Sequence, residues 1–197
     1  MPAHRTVKTV ALADALETIA TRLGRPSPSG QRPILYIPGN AARVEAVERW
    51  IFEHPQRLAG ADVFQVLALG PSAGWKRAAM NGVGIVTPFI GPGVRELVNA
   101  GLARNIRCNL SQVPRLFEQR WRPDVAVAHV SPPDAYGRVT LGLNAGLDHA
   151  PVKQARFKVA LVNRNVPRWH IASLADPASG QFFETGCAMK LADFGLA

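Results

Sequence analysis

Short apolar runs recur along this chain, and most of them end in small or turn-forming residues. "ILYIP" (34–38), "DVFQVLAL" (62–69), "VGIVTPFI" (83–90), "IRCNL" (106–110), "DVAVAHV" (124–130), "VTLGL" (139–143) and "KVALVN" (158–163) have the length and composition of strands. Between them the period changes to that of a helix. Residues 6–23 place Val7, Val10, Ala11, Leu16, Ile19, Ala20 and Leu23 roughly on one face, and Gly24 ends the pattern. Residues 41–54 do the same with Val44, Val47, Trp50 and Ile51. In "GPGVRELVNAGLA", Pro92 stands near a helix start and Gly101 just past its end. Ser111 is a candidate cap for a helix running to Trp121, with Pro114 in its first turn. Residues 25–33, rich in Pro, Ser and Gly, read as a connector.

Strands buried on both faces and alternating with helices predict an α/β fold with a largely parallel sheet. Ligands of such sheets bind beyond the carboxyl ends of the strands. Three expected strand ends lead into turn-forming loops, at Gly39-Asn40-Ala41, Gly70-Pro71-Ser72 and Ser131-Pro132-Pro133-Asp134. Parallel strands would gather these loops on one edge. Gly39, Asn40, Ala41, Gly70, Pro71, Ser72, Pro132, Pro133 and Asp134 are therefore the candidate binding residues.

Composition narrows the function classes. At 197 residues, 47% hydrophobic and 19% charged, the chain can bury a core. No apolar run approaches the roughly 18 residues that span a bilayer, so no membrane segment is expected. The N-terminus lacks the pattern of a signal peptide, and Cys108 and Cys187 are far apart, so a cytoplasmic protein with two free thiols is expected. The net charge of +9 suits an anionic ligand, such as a nucleotide or coenzyme A. The basic residues are dispersed, without an RNA-binding aromatic signature, so one anion site is expected rather than a nucleic-acid surface. The chain has no glycine-rich dinucleotide motif, no phosphate-loop lysine and no metal-ligand spacing of its histidines, so no metal is expected. His129, just before the Ser-Pro-Pro-Asp turn, is the best placed histidine, though a satisfied sheet-edge histidine is the plainer reading. Ser131 lacks the flanking glycines of a nucleophile elbow, and Asp134 reads as a turn residue before a general base.

Several of these segments also occur together, in order, in one family. "DVAVAHVSPPDAYGRVTLG" followed by "VALVNRNVPRWH" resembles the N-terminal domain of the acetyl-CoA hydrolase/transferase family, which includes 4-hydroxybutyrate and acetate CoA-transferases. "PFIGPGVRELVNAGLARNI" and "YIPGNAARVEAVERWI" fit the same pattern, and the likeness runs from about residue 34 to 170. The resemblance implies a three-layer α/β/α CoA-transferase-like domain over 34–176. It leaves an N-terminal helix and connector (1–33) and a tail of uncertain structure (177–197).

The resemblance also implies a function. Coenzyme A enters as acyl-CoA, together with a small carboxylate, and the site lies between this domain and a C-terminal-type domain or second subunit in a homo- or hetero-oligomer. The reaction passes through a thioester on a glutamate, which the family carries on its C-terminal domain. This chain is therefore expected to lack the nucleophile and to form a substrate-side wall. Glu184 in "FFETGCA" is the one weak candidate among its seven glutamates. Thr140 replaces the usual serine, and Arg95 and Arg104 are candidate anion contacts. A non-catalytic CoA-binding or regulatory module, and a phosphosugar isomerase-like enzyme on the same fold, remain alternatives.

Overall fold

The computed structural model describes residues 9–25, 30–134, 138–168, 182–184 and 189–193. Val7, at the start of the first expected helix, part of the 25–33 connector (26–29), Gly137, His170 and Cys187 lie outside the described residues.

Among the described residues, ten strands and six α-helices follow one another. The strands are β1 (Thr9–Val10), β2 (Ile34–Tyr36), β3 (Asp62–Phe64), β4 (Gly84–Thr87), β5 (Ala103–Asn105), β6 (Val125–Val130), β7 (Arg138–Thr140), β8 (Phe157–Val162), β9 (Phe182–Glu184) and β10 (Met189–Asp193). The helices are α1 (Leu12–Leu23), α2 (Glu45–Glu53), α3 (Ser72–Met80), α4 (Arg95–Asn99), α5 (Val113–Gln119) and α6 (Ala145–Gln154). Eight strands form one sheet in the order β1-β10-β8-β6-β2-β3-β4-β5, and every neighbouring pair is parallel. β7 and β9 form a separate antiparallel ribbon. The expected α/β architecture is thus present, with β1 and β10, from the chain's flanking segments, inside the main sheet.

Alternation along each strand sends side chains into two apolar layers. Leu35, Val63, Ile85, Val125, Val127, Val159 and Leu161 meet α1 to α4 on one face. Tyr36, Phe64, Val86, Ala126, Ala128 and Ala160 meet α5 and α6 on the other. This is the three-layer α/β/α arrangement, and it explains why the strands read as continuous apolar runs. On the second face Phe117 of α5 stands edge-on to Tyr36 and Phe64, with ring centroids 5.2 and 4.7 Å apart.

Several boundaries differ from the sequence pattern. "IRCNL" was expected as a strand, but β5 lies earlier, at 103–105. Gly101, at φ 71°, closes α4 and turns the chain directly into pairing with β4. Asn109 then joins Gln112 in a reciprocal capping box, which ends the extended segment, so Asn109 rather than Ser111 starts the next turn. The expected strand 62–69 stops at Phe64, where Gln65 turns its side chain to Pro38 and Glu48. The strand expected at 139–143 occupies 138–140, and a 3₁₀ turn (Gly142–Asn144) follows. The helix expected at 41–54 is split into a 3₁₀ turn (Asn40–Ala42) and α2 by the extended Arg43. α3 and α6 carry weak apolar periodicity and were not expected. Each is recruited by burial, through Trp75 and Ala78 in α3 and through Ala150 and Val152 in α6.

The contact of Phe117 with both central strands makes it a test of the second layer. Phe117→Ala is expected to cost about 3–5 kcal/mol of unfolding free energy, read from urea denaturation.

Candidate functional site

The strand order fixes where a crevice can open. From β2 the sheet grows one way through β3, β4 and β5, and the other way through β6 and β8. The connections leaving β2 and β6 therefore diverge at the carboxyl edge, the switch point where ligands of open α/β sheets bind. The loop after β2 holds Gly39, Asn40 and Ala41, and the loop after β6 holds Ser131, Pro132, Pro133 and Asp134.

The first loop is seated against the loop after β3. The Asn40 amide donates to the Leu67 carbonyl at 3.1 Å. Asn40 takes φ 51°, a left-handed conformation that asparagine tolerates better than most residues. Gly39 packs so tightly that a Cβ there would lie 2.6 Å from the Leu67 oxygen and 3.0 Å from its nitrogen. The loop after β4 joins the same shelf, the Gly93 amide donating to the Ala68 carbonyl at 3.2 Å. Gly39 and Gly70 are buried while Asn40, Ala41 and Pro71 are exposed, and Ser72 opens α3. Two of the three candidate loops thus form one surface, with exposed Leu69 and Ile90 beside them.

A buried polar network supports this shelf. Glu48, 1% exposed, accepts from Arg43 Nε at 2.6 Å and from Gln65 Nε2 at 2.8 Å, while Arg43 also holds Glu45. Gln65 Nε2 donates as well to the Pro38 carbonyl at 2.9 Å, directly beneath Gly39. A buried carboxylate is tolerable when paired and hydrogen-bonded in this way.

The third loop belongs to a second group. Ser131 is fully buried and bridges β6 to β7: its amide donates to the Thr140 carbonyl at 3.0 Å, and its Oγ accepts from the Thr140 amide at 3.2 Å. Arg168 anchors the prolines by donating to the Pro132 carbonyl at 2.6 Å, and it pairs with Asp134 at 3.4 Å. Ser131 is a strand-pairing residue, and an arginine holds Asp134.

His129 ties the two groups together across the switch point. A carbonyl can only accept, so Nδ1–H donates to Ala42 O at 3.3 Å, and Nε2 accepts from Asn163 Nδ2 at 3.0 Å. Both ring nitrogens are then satisfied in the neutral form, and burial lowers the pKa from the ordinary imidazole value. His129 is a latch, which agrees with its plainer sequence reading. Nearby, Asp148 of α6 is fully buried. Its Oδ1 accepts from Tyr36 at 2.5 Å and from Asn144 at 2.6 Å, while Oδ2 has no hydrogen-bond partner among the described residues. Burial raises its pKa to about 7.

Other sequence candidates lie elsewhere. Arg95 sits exposed on α4, 3.5 Å from the Ile90 carbonyl. Arg104 pairs with Asp62, the first residue of β3, at 2.6 Å and stacks on Trp121, so its guanidinium is drawn to the amino edge, away from the loops. Glu184 lies in the β7–β9 ribbon, its backbone opposite Arg138. Sequence reasoning missed Arg43, Glu48, Gln65, Asn163 and Asp148. Each is isolated in the sequence, and only Glu48, a polar position beside the apolar face of the amphipathic 41–54 segment, gave any signal.

Known proteins share both the sequence and the fold. Residues 32–177 match the family model of the acetyl-CoA hydrolase/transferase N-terminal domain. A 4-hydroxybutyrate coenzyme A transferase of Clostridium kluyveri is 31% identical over 110 residues, which are 55% of this chain and 26% of that protein. A succinyl-CoA:cyclohexane-1-carboxylate CoA transferase of Geobacter metallireducens is 37% identical over 76 residues, 39% of this chain and 17% of that protein. Among solved structures, 4-hydroxybutyrate CoA-transferase from Porphyromonas gingivalis superposes with a TM-score of 0.59 at 18% identity, over 96% of this chain and 40% of that one. RipA from Yersinia pestis gives a TM-score of 0.65 at 17% identity, over 91% and 43%. The matched stretch is thus less than half the length of each of these relatives.

Two variants test this geometry. Gly39→Ala forces a methyl group against the Leu67 backbone and is expected to cost about 1–3 kcal/mol, measured by chemical denaturation. Asp148→Asn keeps an oxygen for Tyr36 and Asn144 but cannot titrate. Because the folded-state pKa is raised from 3.8 to about 7, the native protein binds the extra proton. Its stabilising effect is complete below pH 3.8 and is lost as pH rises to 7. Denaturation at pH 5 and pH 8 should show the wild type losing stability relative to Asp148→Asn.

Proposed function

The chain belongs to the acetyl-CoA hydrolase/transferase family through its N-terminal domain, and from that premise we propose that it is the N-terminal half, or a subunit, of an acyl-CoA transferase or hydrolase. It supplies the substrate-side wall of an acyl-CoA site. A partner domain or second subunit, in a homo- or hetero-oligomer, supplies the catalytic glutamate. The observation that carries this reading is the switch point between β2 and β6, where the 37–44 and 131–134 loops diverge and His129 bridges the two strands' loops.

The chemistry of the wall supports that division of labour. Glu45 and Glu48 pair with Arg43, and Asp134 pairs with Arg168, so these carboxylates are held by cations rather than set up as nucleophiles. A partner's glutamate would attack the thioester carbonyl of acyl-CoA and expel CoA thiolate, leaving a mixed anhydride. The thiolate then attacks the glutamyl carbonyl and releases the carboxylate, which leaves the glutamyl-CoA thioester. What this wall contributes is a rigid surface at Gly39-Asn40-Ala41, Gly70-Pro71-Ser72 and Pro132-Pro133-Asp134 to orient the acyl group and exclude water. The exposed Leu69 and Ile90 suit contact with an apolar acyl chain or with the partner domain. A small carboxylate is the acceptor, and a cytoplasmic setting accords with a CoA substrate.

The test is complementation. The purified chain alone is expected to show no acyl-CoA exchange, and the chain mixed with a C-terminal-type family domain is expected to show exchange with a trappable glutamyl-CoA adduct. Turnover by the lone chain that Glu184→Gln abolishes would place the nucleophile on this chain and overturn the proposal. A stable complex without turnover would favour the binding-module reading.

A further inference from the structure

The sheet has a second edge, and the arginines gather there. A cavity of about 80 Å³ opens at the amino ends of β2, β6 and β8, lined by Arg32, Arg120, Arg122 and Arg156 with Asp124 as the one lining carboxylate. Asp124 is already committed. Its Oδ2 accepts from the Ile34 amide at 2.9 Å, and its Oδ1 pairs with Arg156 at 3.2 Å. Arg32 leans on Asp62, which also takes Arg104, so the two aspartates are taken up by Arg32, Arg104 and Arg156.

Three of the four lining arginines have partial structural roles. Arg32 donates to the Ala61 and Gly82 carbonyls, Arg122 Nε closes the end of α6 by donating to the Gln154 carbonyl at 2.9 Å, and Arg156 holds Asp124. Arg120 is different. Its side chain makes no hydrogen bond or ion pair among the described residues, although the end of α5 delivers it to the cavity. Each guanidinium carries five donors in a rigid fork, and Arg122 and Arg156 each use only part of theirs. The four guanidinium groups line one small cavity, so an anion in it meets them together.

We propose that this cavity binds a small tetrahedral oxyanion of the phosphate class, either free phosphate or the phosphoryl group of a small molecule. A phosphate offers several acceptor oxygens and up to two negative charges, which match several guanidinium forks better than a planar monocarboxylate does. The cavity is small and concave, which suits a single such group rather than an extended polyanion. The loops of the proposed acyl-CoA wall leave the opposite edge of the sheet, so this site does not depend on that assignment.

The test uses the full chain and ³¹P NMR titration at constant ionic strength set with chloride. Inorganic phosphate and glycerol 3-phosphate are the two probes. Saturable one-to-one binding is expected. It should weaken about tenfold in Arg120→Gln and further in the Arg120→Gln/Arg122→Gln double variant, and stay unchanged in Arg49→Gln, which removes the same charge from exposed α2. Arg120→Gln removes no contact that holds the fold, and its thermal melt should match the wild type. Tighter binding of glycerol 3-phosphate assigns an organic phosphate, and equal or weaker binding assigns free phosphate. Absence of saturable binding, or the same loss in Arg49→Gln, would overturn the proposal. So would a single-stranded oligonucleotide that binds the cavity and resists displacement by phosphate.

Discussion

The parallel alignment of the eight main-sheet strands is the constraint on which the rest of this molecule depends. A parallel strand must be reached by a crossover, and crossovers lay helices on both faces of the sheet. That is why α1 to α4 and α5 to α6 enclose two apolar layers and the central strands β2, β6 and β8 are predominantly apolar. Parallelism also sorts the loops. Every connection leaving a strand emerges at one edge, and every connection entering a strand emerges at the other. The two edges therefore have different compositions and different chemistry.

At the carboxyl edge the loops are fastened to one another before any ligand arrives. Gly39 permits contact with the Leu67 backbone, Arg43 and Glu48 support the shelf from below, and His129 spans the gap to the second group of loops. The strength of each polar link comes from its burial. In water the Glu48–Arg43 pair would contribute little, but here its separation would leave a charge without solvent or partner. A site wall of this kind is preorganised, and it places the burden of reactivity on whatever group faces it. At the amino edge, the same sheet ends in arginines that outnumber their acidic partners.

Much of the fold was legible because hydrophobic periodicity records burial directly. β6 and β8 were read almost to the residue, since both are apolar throughout and end in polar residues or turns. β5 was misplaced because "IRCNL" has the composition of a strand, whereas Gly101 and the Asn109–Gln112 capping box decide the local path. α3 was missed because Gly74 and the short apolar face of Trp75 and Ala78 resemble loop chemistry, and only the groove between its neighbours makes them a core surface. The candidate loops were found for a simpler reason, that Gly, Pro and Asn mark the points where strands end.

The sequence by itself determined the α/β class, the loops at the carboxyl edge and the membership of the acetyl-CoA hydrolase/transferase family, because periodicity, turn chemistry and ordered motifs are all properties of neighbouring residues. Tertiary structure alone decided which groups meet. It set His129 between Ala42 and Asn163, joined Tyr36 to Asp148, paired Asp134 with Arg168, and drew Arg32, Arg120, Arg122 and Arg156 around one cavity. These partners are separated by long stretches of chain, and their pairing follows from strand order, which no local pattern encodes.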